Sequence, residues 1–194
     1  LNLDSSLCIR FCQPLDILGN RVDEEGHSFD NRGRQLDIRS YFYDHRGNFV
    51  TDQNRDVEYT RQCGKSISKV YFKNNVILST HFVSYVLFRY LVYLNPRLDL
   101  YQLIRLKFRE AHIKREELLK ILDRFKQFLL EKELEGVLRV GEPLKRKSVD
   151  KILDEAIQYL QMFYSREIVV ILEDQIYVQD MKLLYYYQNR LMGY

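Results

Sequence analysis

Apolar and polar positions change rhythm twice along the chain. Leu7, Ile9 and Phe11 alternate with Cys8, Arg10 and Cys12, the two-residue period of a strand, and this reading predicts a strand over Leu7–Leu18. Pro14 cannot donate to a ladder, so that strand should stop there or lie at an edge. The alternation would set Cys8 and Cys12 on one face. Residues 19–56 are rich in Asp, Asn, Arg and Gly, with the turn segments Asp30-Asn31-Arg32-Gly33 and Asp44-His45-Arg46-Gly47. Strand formers lie between the turns, and a β-hairpin arm is expected, pairing Gln35–Tyr43 with Asn48–Val50.

From Asp52 the period becomes helical. Asp52 or Asn54 can cap a helix over 54–74. An apolar helix follows a break near Ser79 or Thr80 and should end at Asn95-Pro96, because proline lacks the N–H that a helix needs. Asp99 caps a short helix over Leu100–Phe108, and a long one is expected over Lys114–Glu133, with Leu118, Leu122, Phe125 and Leu129 on one stripe. After Ser148, a strong amphipathic pattern runs from Val149 to Leu160. Ile168–Leu172 and Ile176–Val178 read as a hairpin, and Asp180 caps a last helix. The expected class is α+β, mostly helical: an N-terminal strand and hairpin arm, then a helical bundle ending in a winged-helix-like helix–helix–helix–hairpin unit. The expected divisions are 1–18, 19–56 and 57–194.

Composition narrows the picture. Hydrophobic residues make up 46% of the 194, enough for a core rather than wholesale disorder. The apolar run from Val76 to Leu94 is long enough to span a bilayer but carries Ser79, Thr80, His81, Ser84 and Arg89. A cation at a bilayer centre costs about 2.5–3.5 kcal/mol on insertion scales, so a buried core helix is expected instead. Three cysteines with a wide last gap give no disulfide framework and fit a reducing cytoplasm. The chain opens on Leu1 with no charged and apolar leader pattern, which suggests a segment of a longer polypeptide.

Candidate chemistry is sparse. Counting five residues on from each histidine, His27 meets Arg32, His45 meets Val50, His81 meets Val86 and His112 meets Glu117, so none forms a His-x4-Asp pair. Asp52-x-Asn54-x-Asp56 begins like a calcium loop, but Val57 stands where glycine is needed and Cys63 where the closing glutamate belongs. Gly is never clustered into a phosphate loop. Basic residues gather at Arg105, Lys107, Arg109, Lys114 and Arg115 and again at Lys145-Arg146-Lys147. They suit phosphates, anionic lipid heads or a solvated face with interspersed glutamates. No catalytic, cofactor-binding or metal-binding residue is assigned.

Four segments together resemble the glycerol-3-phosphate acyltransferase family, taken broadly to include the lysophosphatidate and dihydroxyacetone-phosphate enzymes. Leu7-Cys8-Ile9-Arg10-Phe11-Cys12-Gln13-Pro14-Leu15 is similar to a family strand that follows the conserved acyltransferase blocks, with Cys12 where glycine is usual. Asn75–His81 resembles the opening of an apolar helix, and Asp99–Ile104 an "Asp-Leu-x-x-Leu-Ile" segment. Leu183–Leu191 resembles a "Tyr-Tyr-Arg-Asn" helix, with Gln188 where arginine is usual. The resemblance implies the C-terminal part of an enzyme whose upstream His-x4-Asp histidine activates a glycerol hydroxyl against an acyl thioester of coenzyme A or acyl carrier protein. It implies no cofactor on this part, with the upstream domain as partner in a cytoplasmic, peripheral membrane-associated protein. An anionic membrane surface and a second copy are further candidate partners. A winged-helix nucleic-acid-binding or protein-interaction module without enzymatic role is the competing reading, although Glu173, Asp174 and Asp180 would set negative charge near phosphates.

Overall fold

A computed structural model describes residues 8–162 and 166–194, which fall into two compact units, Cys8–Asn74 and Asn75–Tyr194. In the first unit, three two-residue strands, β1 (Arg21–Val22), β2 (Ser28–Phe29) and β3 (Gln35–Leu36), pair antiparallel in chain order. The helix α1 (Gln53–Asn74) completes it.

A seven-residue period builds the arm. Asp16, Asp23, Asp30, Asp37 and Asp44 recur at that spacing, and four of them have glycine three residues later. At Asp30, Oδ1 accepts the N–H groups of Arg32 and Arg34, while Gly33 N–H donates to the Asp30 carbonyl. Asp16 and Asp44 repeat this pattern with Leu18 and Asn20, and with Arg46 and Asn48. Each turn therefore saturates its own backbone, so strands of two residues suffice.

Several expectations change here. Leu7 lies outside the described residues, and Cys8–Pro14 is not a strand; a single bridge joins Leu15 to Arg21. Its alternation buries no face, since Ile9 is 68% and Phe11 94% exposed. Cys8 and Cys12 are both exposed and share no strand face. The hairpin pairing Gln35–Tyr43 with Asn48–Val50 is also corrected: β3 pairs back onto β2, and Asp37 caps a 3-10 turn at Ile38–Tyr41 by accepting the Arg39 N–H. Only the Tyr43–Phe49 bridge remains across the Asp44 turn. The boundary falls at 74/75 because α1 belongs with the arm. Its Tyr59 ring meets Tyr41 and Phe42 edge-on, and Arg55 lies over the Phe42 ring.

The second unit runs β4 (Val76–Ile77), α2 (Ser79–Leu94), α3 (Leu100–Leu103), β5 (His112–Lys114), α4 (Arg115–Leu134), β6 (Arg139–Val140), α5 (Glu142–Arg146), α6 (Val149–Met162), β7 (Val169–Leu172), β8 (Gln175–Val178) and α7 (Met181–Gln188). Its class is α+β and mostly helical. Helix α2 is the hub: Phe82, Val83, Val86, Leu87, Phe88 and Leu91 are buried, and α4, α6 and α7 pack around it. The stripe expected on the long helix is buried at Leu118, Leu122 and Leu129, while Phe125 stacks on Phe82. Burying a Leu or Phe side chain contributes about 1.5–3 kcal/mol, so this core supplies most of the unit's stability.

The hairpin β7–β8 gains a third strand unforeseen from sequence, giving the antiparallel order β5-β8-β7. From α2, with the short α3 ahead of the strand, the order helix, strand, helix, helix and hairpin, with β5 against β8, is winged-helix-like; β6 and α5 stand between α4 and α6. Helix α3 ends at Leu103 rather than Phe108: the Arg105 and Leu106 N–H groups turn to the Gln102 and Leu103 carbonyls, and the Lys107 N–H donates to the Glu110 carboxylate. Asp99 and Asp180 cap α3 and α7 as expected, and Asp52 caps α1. Among the described residues, no helix is long and apolar enough to cross a membrane.

Candidate functional site

An enclosed group of chemically useful side chains in the second unit lies at the start of α2. The parallel pair β4–β6 creates it: Val76 faces Arg139, Ile77 faces Val140, and the Gly141 N–H donates to the Ile77 carbonyl at 2.9 Å. A Cβ at Gly141 would stand 3.0 Å from that carbonyl oxygen, so glycine permits the approach. The pair brings the first turn of α2 beside the start of α5. A cavity of about 230 Å³ opens between them.

One wall is apolar, formed by Leu78, Pro143, Leu144, Tyr159 and Tyr187. The opposite side is the first turn of α2, with Ser79, Thr80 and His81. Ser79 is 5% exposed and Thr80 9%, and neither hydroxyl has a hydrogen-bond partner among the described residues. The backbone N–H groups of these three residues likewise have no acceptor there, because intrahelical bonding begins with Phe82 N–H to the Leu78 carbonyl.

His81 closes the turn. Its Nδ1 accepts the Leu78 N–H at 3.3 Å, which leaves the proton on Nε2. Burial, followed by the positive charge of Arg190, pushes the imidazole down to about 4, so it is neutral at physiological pH. Its ring lies 6.5 Å from that of Tyr187. Glu155, also at the cavity, is neutralised by an ion pair with Lys147. The site therefore offers hydrogen-bond donors and an apolar wall without a net cation.

The other histidines are elsewhere. His27 pairs with Asp23 within an exposed turn, His45 lies in the next such turn but two, and His112 stacks on Tyr177. Glu117 accepts from the Tyr90 hydroxyl and not from His112. Asp23, Glu25 and His27 bring ligand-type atoms within 4.8 Å, but in an exposed turn whose Asp23 Oδ1 already accepts the His27 N–H. The run Lys145-Arg146-Lys147 is spent on ion pairs: Lys145 with Glu133 and Glu142, Arg146 with Glu142, and Lys147 with Glu155. Arg115 is held by Asp150 and Asp154 at 2.6 and 2.8 Å.

Sequence reasoning passed over Ser79 and Thr80 as a helix break. The signal that could have marked them is a Ser-Thr-His start with no side-chain cap before it, Leu78 standing at the cap position. Compared with family models, curated proteins and solved structures, the chain matches none.

Proposed function

We propose that this chain is the C-terminal, non-catalytic part of a glycerolipid acyltransferase. The parent would transfer an acyl group from acyl-coenzyme A or acyl carrier protein to glycerol 3-phosphate or 1-acylglycerol 3-phosphate. This part would support the catalytic domain at an anionic membrane surface. The reading is carried by the order of the four family-like segments. Two of them, more than a hundred residues apart, meet in space: the Asn75 side-chain amide donates to the Arg190 carbonyl at 3.3 Å, and α7 packs along α2.

The stretch from Tyr93 to Lys114 supports the membrane role. It exposes Tyr93, Leu94 and Tyr101 together with Arg97, Arg105, Lys107, Arg109 and Lys114. Aromatic and aliphatic side chains interleaved with cations suit a lipid interface, where each cation contributes about 1 kcal/mol near an anionic surface. The test is the reading frame that encodes this chain. Its full product should acylate glycerol 3-phosphate or lysophosphatidate, lose that activity when the histidine of its His-x4-Asp block is replaced, and sediment with anionic vesicles more than with neutral ones. A frame without His-x4-Asp would overturn the reading.

The winged-helix arrangement favours a second reading, nucleic-acid binding. In helix-turn-helix binders the later helix enters the major groove. Here that helix is α6, whose Asp150, Asp154 and Glu155 take up Arg115 and Lys147 in ion pairs and whose one basic residue is Lys151, and the hairpin tip is Glu173-Asp174. Helix and tip thus offer phosphate little positive charge, so no salt-dependent DNA binding is expected; a measured salt slope in a low-salt titration would reverse the preference.

A further inference from the structure

We infer that the cavity at the start of α2 is a binding site for a small carboxylate carried on an aryl or short alkyl body. This rests on the cavity alone and not on the acyltransferase reading. Three observations converge on it.

The first is the unspent donor set. Helix α2 has sixteen residues, and its first N–H groups carry the positive end of the helix dipole. Ser79 and Thr80, residues more than nine-tenths buried, line the cavity and add two hydroxyls without a hydrogen-bond partner among the described residues. Two hydroxyls on largely buried residues, opening onto a cavity beside free helix N–H groups, suit an acceptor from outside the chain.

The second is the absence of any side chain serving as the acceptor. Capping oxygen normally comes from Ser, Thr, Asp or Asn before the first turn, but Leu78 stands there. His81 turns its lone pair on Nδ1 back to the Leu78 N–H and so offers only an N–H elsewhere. Glu155 is the one carboxylate at the cavity, and Lys147 holds it. A ligand oxygen would take the position that a capping side chain leaves open.

The third is size and lining. An apolar cavity of about 150 Å³ holds a benzene ring. One of about 230 Å³ accommodates a ring or short chain with a polar head. Tyr159, Tyr187, Leu144 and Pro143 supply the surface for that body. The free N–H groups and the positive end of the α2 dipole favour a carboxylate head over a neutral amide, and a neutral amide over an ammonium.

The probe series is benzoate, benzamide and benzylamine, titrated into the intact 194-residue chain and followed by amide chemical shifts and calorimetry. Benzoate should bind most tightly, benzamide more weakly and benzylamine not at all, with shifts centred on Ser79, Thr80, His81 and Gly141. Replacing both hydroxyls (Ser79→Ala with Thr80→Val) should weaken benzoate about tenfold, the effect of one to two hydrogen bonds, while the variant's unliganded spectrum stays dispersed. If that variant unfolds, Thr80→Val alone should still weaken benzoate severalfold. No shift with benzoate at 10-millimolar order, equal binding of benzylamine, or benzoate affinity unchanged in the folded variant would each overturn the assignment.

Discussion

His81 shows how one side chain can tie stability to pH. In the unfolded chain its imidazole titrates near 6.5, and in the folded chain near 4. The folded state thus refuses a proton that the unfolded state accepts. The stability this confers is full above pH 6.5 and is lost as the pH falls from 6.5 towards 4. The shift corresponds to at most about 3 kcal/mol. Urea melts of the chain at pH 7 and pH 4.5 should show that loss, and His81→Gln should remove most of the difference. A second residue tests the core itself. The hydroxyl of Ser84 is fully buried in α2 with no partner, so Ser84→Ala should leave stability unchanged or raise it by up to about 1 kcal/mol. A loss of more than that in thermal melts would mean that the hydroxyl has a role the packing does not reveal.

Helices were the most legible elements from sequence. Their caps and stripes are local: Asp52, Asp99 and Asp180 were read as start signals, and each accepts backbone N–H groups of its own first turn. The arm was less legible. Asp30 and Asp44 were recognised as turn formers, but the period that joins them to Asp16, Asp23 and Asp37 passed unnoticed, so a long hairpin was expected in place of successive short ones. The third strand of the wing sheet, His112–Lys114, has only three residues, and its pairing with β8 is long-range, beyond what local alternation signals. The cavity was invisible for a similar reason, because it depends on Val76 pairing with Arg139. Within the arm unit, Gly19 makes the tightest approach. Its φ is +85°, and a Cβ there would lie 2.7 Å from the Ser66 side chain. Gly19→Ala should therefore destabilise the arm by more than about 1 kcal/mol, and hydrogen exchange at residues 16–36 should accelerate while the α2 core stays protected.

Across the whole molecule, the +3 net charge says less than its distribution. The basic run at 145–147 and Arg115 are neutralised by acidic neighbours, whereas the cations between Arg97 and Lys114 stand exposed beside aromatic side chains. This distribution is what the proposed membrane-surface role calls for, and the Glu173-Asp174 hairpin tip does not suit the competing nucleic-acid reading. The proposed acyltransferase reading would place the chemistry upstream. Of the four histidines, His27 pairs with Asp23 in an exposed turn, His81 is bonded to the Leu78 N–H and His112 stacks on Tyr177. A general base contributes about 10²–10⁴ in rate, so its removal cannot be missed. The most direct measurement is therefore acyl transfer by the full-length parent with His27, His45, His81 and His112 all replaced by glutamine, assayed at pH 7.5 where His81 is neutral in the native protein. Turnover should stay within about threefold of the unaltered enzyme; a fall of a hundredfold or more in a folded variant would contradict the account by placing the base within this chain.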